Sequence, residues 1–79
     1  MAIEVERVRK VVVFSFGDQV KGNFVTVSAA KGIGGELVEK KTVKNLGHAN
    51  VSFPAKYSGE CFIEVSGSKS GEDSGLIEV

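Results

Sequence analysis

The sequence predicts an all-β domain, a small antiparallel β-sandwich of six or seven strands. Glycine occurs ten times and proline once, and no window keeps apolar residues at the three- and four-residue spacing of a helix. Short segments that alternate apolar and polar side chains are instead separated by turn-forming residues at regular intervals. This spacing is typical of a sandwich rather than an open sheet.

An internal repeat supports the same prediction. Ser15 lies seven residues before Gly22, and Ser52 lies seven residues before Gly59. Each glycine is followed by a strand that begins near a phenylalanine and, after a loop, by a further apolar segment. The matching segments are 24–28 with 62–66, and 37–39 with 76–78. Each half therefore reads as strand, turn, strand, loop, strand.

The first half contributes four predicted strands. Residues 3–8 alternate apolar and charged side chains, as an edge strand half exposed to water does. Residues 11–16 are apolar on both faces, which predicts a strand covered on both sides or the start of the main sheet. Residues 23–28 form the next strand. The glycine-rich segment 31–35 is a flexible loop, and the charged segment 36–44 is an exposed strand.

The second half contributes three predicted strands. Residues 49–53 form a strand that Pro54 ends, because proline cannot donate to a ladder. Residues 60–66 show the clearest alternation in the chain, residues 67–75 form a polar loop, and residues 76–79 form the last strand. The alternation assigns these side chains to the core: Val25, Val27, Val51, Phe53, Cys61, Ile63 and Val65.

Composition indicates one domain, spanning residues 1–79, and excludes several classes of partner. Ten Lys and Arg balance ten Asp and Glu, so no basic stripe is available for nucleic acid. The longest uninterrupted apolar stretch, residues 11–14, is far shorter than the roughly 18 residues that span a bilayer, so no membrane insertion is expected. The opening residues carry acidic groups and no apolar core, unlike a signal peptide. A single cysteine excludes an internal disulfide.

No group of residues predicts catalysis, a metal or a cofactor. His48 lies in a predicted turn without an adjacent carboxylate or cysteine pattern. Cys61 alternates with core residues and is expected to act as a small buried apolar side chain. The glycines of segment 32–35 lack the ending of a phosphate-binding loop. Segment 72–74 matches no calcium-loop spacing, which favours a solvated turn. The sequence therefore predicts a protein that is not an enzyme.

Several segments resemble known sandwich families. The triple valine at 11–13, the Gly-Asp turn at 17–18 and segments 20–27, 47–53 and 59–65 are similar to bacterial immunoglobulin-like domains of the invasin type. They are also similar to the transthyretin-like, carboxypeptidase regulatory-like domains. The chain departs from both patterns at Cys61, where the families usually have an aromatic residue, and at the turn from Thr42 to Gly47, which is longer than the usual turn before the following strand.

The resemblance implies an immunoglobulin-like sandwich that acts as a spacer or adhesive module, often repeated in tandem on extracellular proteins. It implies a protein partner or neighbouring domains and a location outside the cell or on its surface. It carries over no catalytic residue.

Phe24 and Phe62 are the candidate binding residues. Alternation places both on the outer faces of their strands, at equivalent positions of the repeat, where a soluble domain prefers polar side chains. One interpretation is that a neighbouring strand, loop or lysine covers each ring. The other is a platform that binds carbohydrate, peptide or another module, although one tyrosine and no tryptophan provide few further rings for stacking.

Overall fold

The computed structural model describes residues 9–79, which form six antiparallel strands in two packed sheets. The smaller sheet pairs β1 with β4, and the larger has the order β3-β2-β5-β6. This confirms the all-β sandwich. The predicted edge strand at 3–8 lies outside the described residues. The strands are β1 (Arg9–Ser15), β2 (Phe24–Ala30), β3 (Leu37–Lys44), β4 (His48–Pro54), β5 (Glu60–Gly67) and β6 (Glu72–Glu78).

The repeated strands occupy equivalent places in the two sheets. β1 of the first half pairs with β4 of the second, and β2 pairs with β5, so each strand lies beside its counterpart. Val27 and Val65, which match in the repeat, are directly opposite each other. Gly22 and Gly59, which also match, have similar positive φ angles of 123° and 132°. An approximate two-fold axis therefore relates the first two strands of each half.

The third strands break this symmetry. β3 and β6 both lie at the edges of the larger sheet, but Leu37 is opposite Ala30 and Leu76 is opposite Phe62. Ala30 and Phe62 are themselves paired. The two leucines, which match in the sequence, therefore lie at the same end of the sheet, whereas a two-fold axis would place them at opposite ends. β3 begins at its leucine, Leu37, whereas β6 begins four residues before Leu76, at Glu72, and this earlier start displaces Leu76 along the ladder.

The core lies between the two sheets. Every side chain that the alternation assigned to the core is buried, and each large one contributes about 1.5–3 kcal/mol relative to an exposed position. Partly buried residues from β1, β3 and β6 pack around this cluster. The buried apolar residues are Val20, Val25, Val27, Ala29, Ala49, Val51, Phe53, Cys61, Ile63 and Val65.

The last strand begins earlier than predicted. Residues 72–75, expected in a loop, belong to β6 and pair with residues 63–66 of β5. Their polar, glycine-containing sequence gives no alternation of its own. They form a strand because the turn at 68–71 is tight, so that β6 pairs with β5 directly after it. The Gly67 N–H donates to the Gly71 carbonyl at 2.8 Å and closes this turn.

β1 is less covered than its apolar sequence predicts. Val12 and Phe14 pack against the core, but Val11 and Val13 are 63% and 68% exposed. Within residues 9–79 no layer covers this side of the smaller sheet, so β1 is not a strand buried on both faces. Its apolar residues therefore pack against the core on one side of the strand only.

Candidate functional site

The solvent side of the larger sheet, termed the outer face, carries the predicted binding residues. On β2 and β5 every second side chain is buried in the core, so the intervening ones must point to solvent. Residues directly opposite in the ladders share a face, which extends the outer face over β3 and β6. The outer face is thus a four-strand surface, and the opposite side chains of its two central strands, β2 and β5, are buried in the core.

Phe24 opens β2 and is 52% exposed. It lies opposite Lys44, and its backbone N–H donates to the Ser68 hydroxyl at 3.2 Å. The ring does not belong to the apolar cluster that surrounds the core. Its outward orientation is therefore as predicted, and no other ring lies beside it in the ladder.

Phe62 is half-buried on the same face and is likewise outside the core cluster. It lies between Ala30 and Leu76. Ala30 is six positions along β2 from Phe24, a separation of about 20 Å at the rise of a β-strand. The structure therefore does not bring the two phenylalanines together, and they cannot clamp a single sugar ring or side chain.

Phe62 instead belongs to an apolar row that the sequence did not reveal. The ladders align four side chains across all four strands at one end of the outer face: Leu37, Ala30, Phe62 and Leu76. Leu37 and Leu76 are 56% and 49% exposed. The repeat did match the two leucines, but the start of β6 four residues before Leu76 is what places them in one row.

A shallow polar groove of about 410 Å³ lies between Phe24 and the apolar row. It brings together hydroxyl groups, one lysine, two glutamates and Asp73, whose carboxylate already accepts the Gly17 and Ser74 N–H groups. The remaining groups can donate and accept hydrogen bonds with a hydroxyl-rich or peptide ligand. The hydroxyls of Thr26 and Thr42 are 3.2 Å apart at its margin. The polar side chains that line it are Thr26, Ser28, Lys40, Glu64, Ser66, Glu72, Asp73 and Ser74.

Charge is divided across the groove. The β3 side carries Lys40 and Lys44, and the β5 and β6 side carries Glu64 and Glu72. None of these four residues belongs to an ion pair among residues 9–79. Among the described residues, the outer face therefore offers charged groups of both signs that form no ion pair, which suit a ligand with complementary charges.

The structure brings the other residues considered from the sequence into no common cluster within residues 9–79. His48 is exposed at the start of β4, and the glycines at 32–35 lie in the β2–β3 loop. Cys61 is buried, and burial raises the pKa of its thiol, while a hydrogen bond with the Ile77 backbone acts in the opposite direction. In the described part of the chain no three His, Cys, Asp or Glu side chains are placed to hold a metal ion.

No helix in residues 9–79 is long and apolar enough to cross a bilayer. Comparisons with protein-family models, with curated proteins and with solved structures each returned no match. The interpretation of the outer face therefore depends on its geometry.

Proposed function

We propose that this protein is a non-enzymatic interaction module that binds a protein partner through the outer face. The observation that supports this most directly is the apolar row of Leu37, Ala30, Phe62 and Leu76, which lies outside the core. A row of apolar side chains on a solvated sheet is unfavourable in isolation and is typical of a contact surface. Charged groups beside the row would orient the partner.

An immunoglobulin-like character of the sandwich fits this proposal. The chain passes between the sheets from β1 to β2, from β3 to β4 and from β4 to β5, as in sandwiches with Greek-key connections. Tyr57 lies at the last of these crossings, and its hydroxyl donates to the Glu60 carbonyl. Immunoglobulin-like domains often have a tyrosine here, although its usual acceptor is upstream. Together with the sequence resemblance, this supports the proposal that the module is part of a larger surface or secreted assembly.

Peptides selected from a displayed random library provide a test. Peptides that bind the wild-type domain should bind Phe62→Ser at least about tenfold more weakly, because the central ring of the row is lost. Leu46→Ser, at a position that is 62% exposed and lies outside both the row and β1, is the matched control and should bind normally. Undiminished binding by Phe62→Ser would disprove the role of the row.

Stability measurements on the same variant separate binding from folding. Phe62→Ser should change the free energy of unfolding by well under the roughly 3–5 kcal/mol expected for truncation of a core ring such as Phe53. Phe24→Ser should be tolerated in the same way, and it should affect binding less because Phe24 is remote from the row. Unfolding of either variant would show that its ring is required by the core.

Carbohydrate binding is a second candidate, favoured by the polar groove rather than by the row. Its hydroxyl, lysine and carboxylate groups match the hydrogen-bonding capacity of sugar hydroxyls. A glycan array should then show binding that Glu64→Gln weakens and that Leu76→Ser, in the row, leaves unchanged. Absence of any glycan signal would contradict the carbohydrate alternative.

A further inference from the structure

The two sheets present four strand edges within residues 9–79: β1 and β4 in the smaller sheet, β3 and β6 in the larger. Free edges carry unpaired backbone N–H and C=O groups that can pair with another chain, and proteins commonly block them with charges, prolines, bulges or side-chain contacts. The four edges of this protein differ in whether such a block is present.

The edges of β3 and β4 are blocked. β3 is rich in lysine, including Lys40 and Lys44, and its pairing with β2 is irregular beside Ala30. On β4 the Ser52 N–H already donates to the Glu39 carboxylate at 3.1 Å, and Pro54 has no N–H to offer. A strand that paired with β4 would break the Ser52–Glu39 hydrogen bond, and a strand that paired with β3 would contact its lysine side chains.

The edge of β6 is blocked by its own side chain. The Ser74 N–H donates to the carboxylate of Asp73 at 2.9 Å, and the other oxygen of that carboxylate accepts the Gly17 N–H at 2.9 Å. Glu72 and Glu78 add charge at both ends of the strand. Pairing along this edge would require the hydrogen bond between the Ser74 N–H and the Asp73 carboxylate to break.

β1 is the least protected edge in the described residues, since the ammonium of its one lysine, Lys10, donates to the Tyr57 carbonyl of its own chain. The Phe16 N–H donates to the Gly47 carbonyl at 3.2 Å, which fixes the alternation, so the backbone groups of the residues with exposed side chains point away from β4. Those residues are Arg9, Val11, Val13 and Ser15. The strand contains no proline, glycine, acidic residue or bulge, and the Arg9 guanidinium turns back to the Ser52 carbonyl at 2.9 Å.

We propose that two copies of this chain associate through β1, which pairs antiparallel with β1 of the second copy about a two-fold axis at Val12. The two smaller sheets then become one four-stranded sheet of order β4-β1-β1-β4. This surface belongs to the smaller sheet and the outer face belongs to the larger one, so the two proposals use different residues and are independent.

The side chains are complementary in this register. Val11 lies opposite Val13 of the second copy, and Arg9 lies opposite Ser15 of the second copy. The register uses every outward backbone group of β1, joins four exposed valines into one patch and places no like charges opposite each other. The neutral formal charge of the chain adds no net repulsion between the copies.

The dimer is expected to be weak. Each copy contributes one seven-residue strand, an area below that of a standard stable interface. A dissociation constant on the order of 0.1–1 mM is therefore expected.

Sedimentation equilibrium of the full chain up to millimolar concentration tests the proposal. Val13→Lys should raise the dissociation constant by more than about tenfold, because a charge then lies in the valine patch. Its control is Ile33→Lys, at a loop residue that is 72% exposed, which should leave the dimer intact. A monomer at all concentrations, or equal loss of association in the two variants, would overturn the proposal.

Nuclear magnetic resonance identifies the surface used. A mixture of labelled and unlabelled chains should show an intermolecular contact between the α-protons of Lys10 and Phe14, which oppose each other in this register. A dimer that lacks this contact uses another surface. Slow amide exchange of Val11 and Val13 at monomeric dilution would show that the chain itself covers the edge. Either result would contradict the β1 dimer.

Discussion

Cys61 and Phe62 are neighbours in β5 with opposite environments. Cys61 is fully buried, whereas Phe62 lies on the outer face beside Leu76. If the pairing register of β5 were shifted by one residue, Cys61 and Phe62 would exchange environments. The thiol would then be open to solvent, and the ring would belong to the core, so the accessibility of the single cysteine reports the register of the central strand.

We therefore expect Cys61 to react slowly with a thiol reagent in the native protein and rapidly in denaturant. Burial both excludes the reagent and raises the thiol pKa, which lowers the fraction of reactive thiolate. A suitable control is Glu64→Cys in a Cys61→Ala background, where the new thiol lies at an exposed position of the same strand and should react rapidly. Rapid native labelling of Cys61 itself would mean that the register is wrong.

Among the elements, the β5–β6 turn is held more firmly than its composition suggests. The Ser68 N–H donates to the Phe24 carbonyl at 2.9 Å, and the Lys69 N–H donates to the Lys21 carbonyl at 3.0 Å. The backbone of Gly71 approaches the segment before β2 so closely that a Cβ atom there would lie 1.7 Å from the Gln19 carbonyl oxygen. The turn is thus docked on the first half of the chain.

Gly71→Ala should destabilise the protein by more than Gly34→Ala. Both glycines have positive φ, 83° and 73°, so each alanine incurs backbone strain of about 1 kcal/mol or more. Only at Gly71 does the new methyl group also meet backbone atoms, since nothing lies within 4 Å of a Cβ at Gly34. Denaturant unfolding measures both values. Equal losses would show that the turn can move away from Gln19.

At the scale of the whole molecule, Glu39 connects the two sheets. It lies on β3, and its carboxylate accepts the Ser52 N–H of β4 at 3.1 Å. It also lies 2.9 Å from the Lys41 ammonium and 3.8 Å from the Arg9 guanidinium of β1. Burial alone would raise the pKa of Glu39, but the hydrogen bonds from Lys41 and Ser52 and the two positive charges together lower it.

This connection predicts a pH dependence of stability. Because the pKa of Glu39 is lower in the folded protein than its ordinary value of 4.5, its stabilising contribution is complete above that value. The contribution is lost as the pH falls through the lowered pKa. Glu39→Gln should therefore reduce the free energy of unfolding at neutral pH, and the difference from wild type should shrink in acid. Urea unfolding between neutral and acidic pH measures this.

Glu64→Gln is the control for that series, because Glu64 is exposed and belongs to no ion pair among residues 9–79. It should change stability little at any pH. If the difference between wild type and Glu39→Gln stays constant down to acidic pH, the carboxylate charge does not hold the sheets together.

The sequence by itself determined the sandwich and its core. The alternation in β2, β4 and β5 assigned Val27, Phe53, Cys61 and Ile63 inward, because a buried face requires apolar side chains at every second residue. The same parity placed Phe24 and Phe62 outward. These are local properties, which a short stretch of sequence is sufficient to express.

Only the tertiary structure decided how the strands align. The distance between Phe24 and Phe62, the row that joins Leu37 to Leu76 and the strand conformation of residues 72–75 all depend on ladder register. Register is set by connection lengths and by partners far away in the chain, neither of which alternation within one strand records. Likewise, one side of β1 is exposed because no third layer packs on the smaller sheet within residues 9–79, which the apolar sequence of β1 could not indicate.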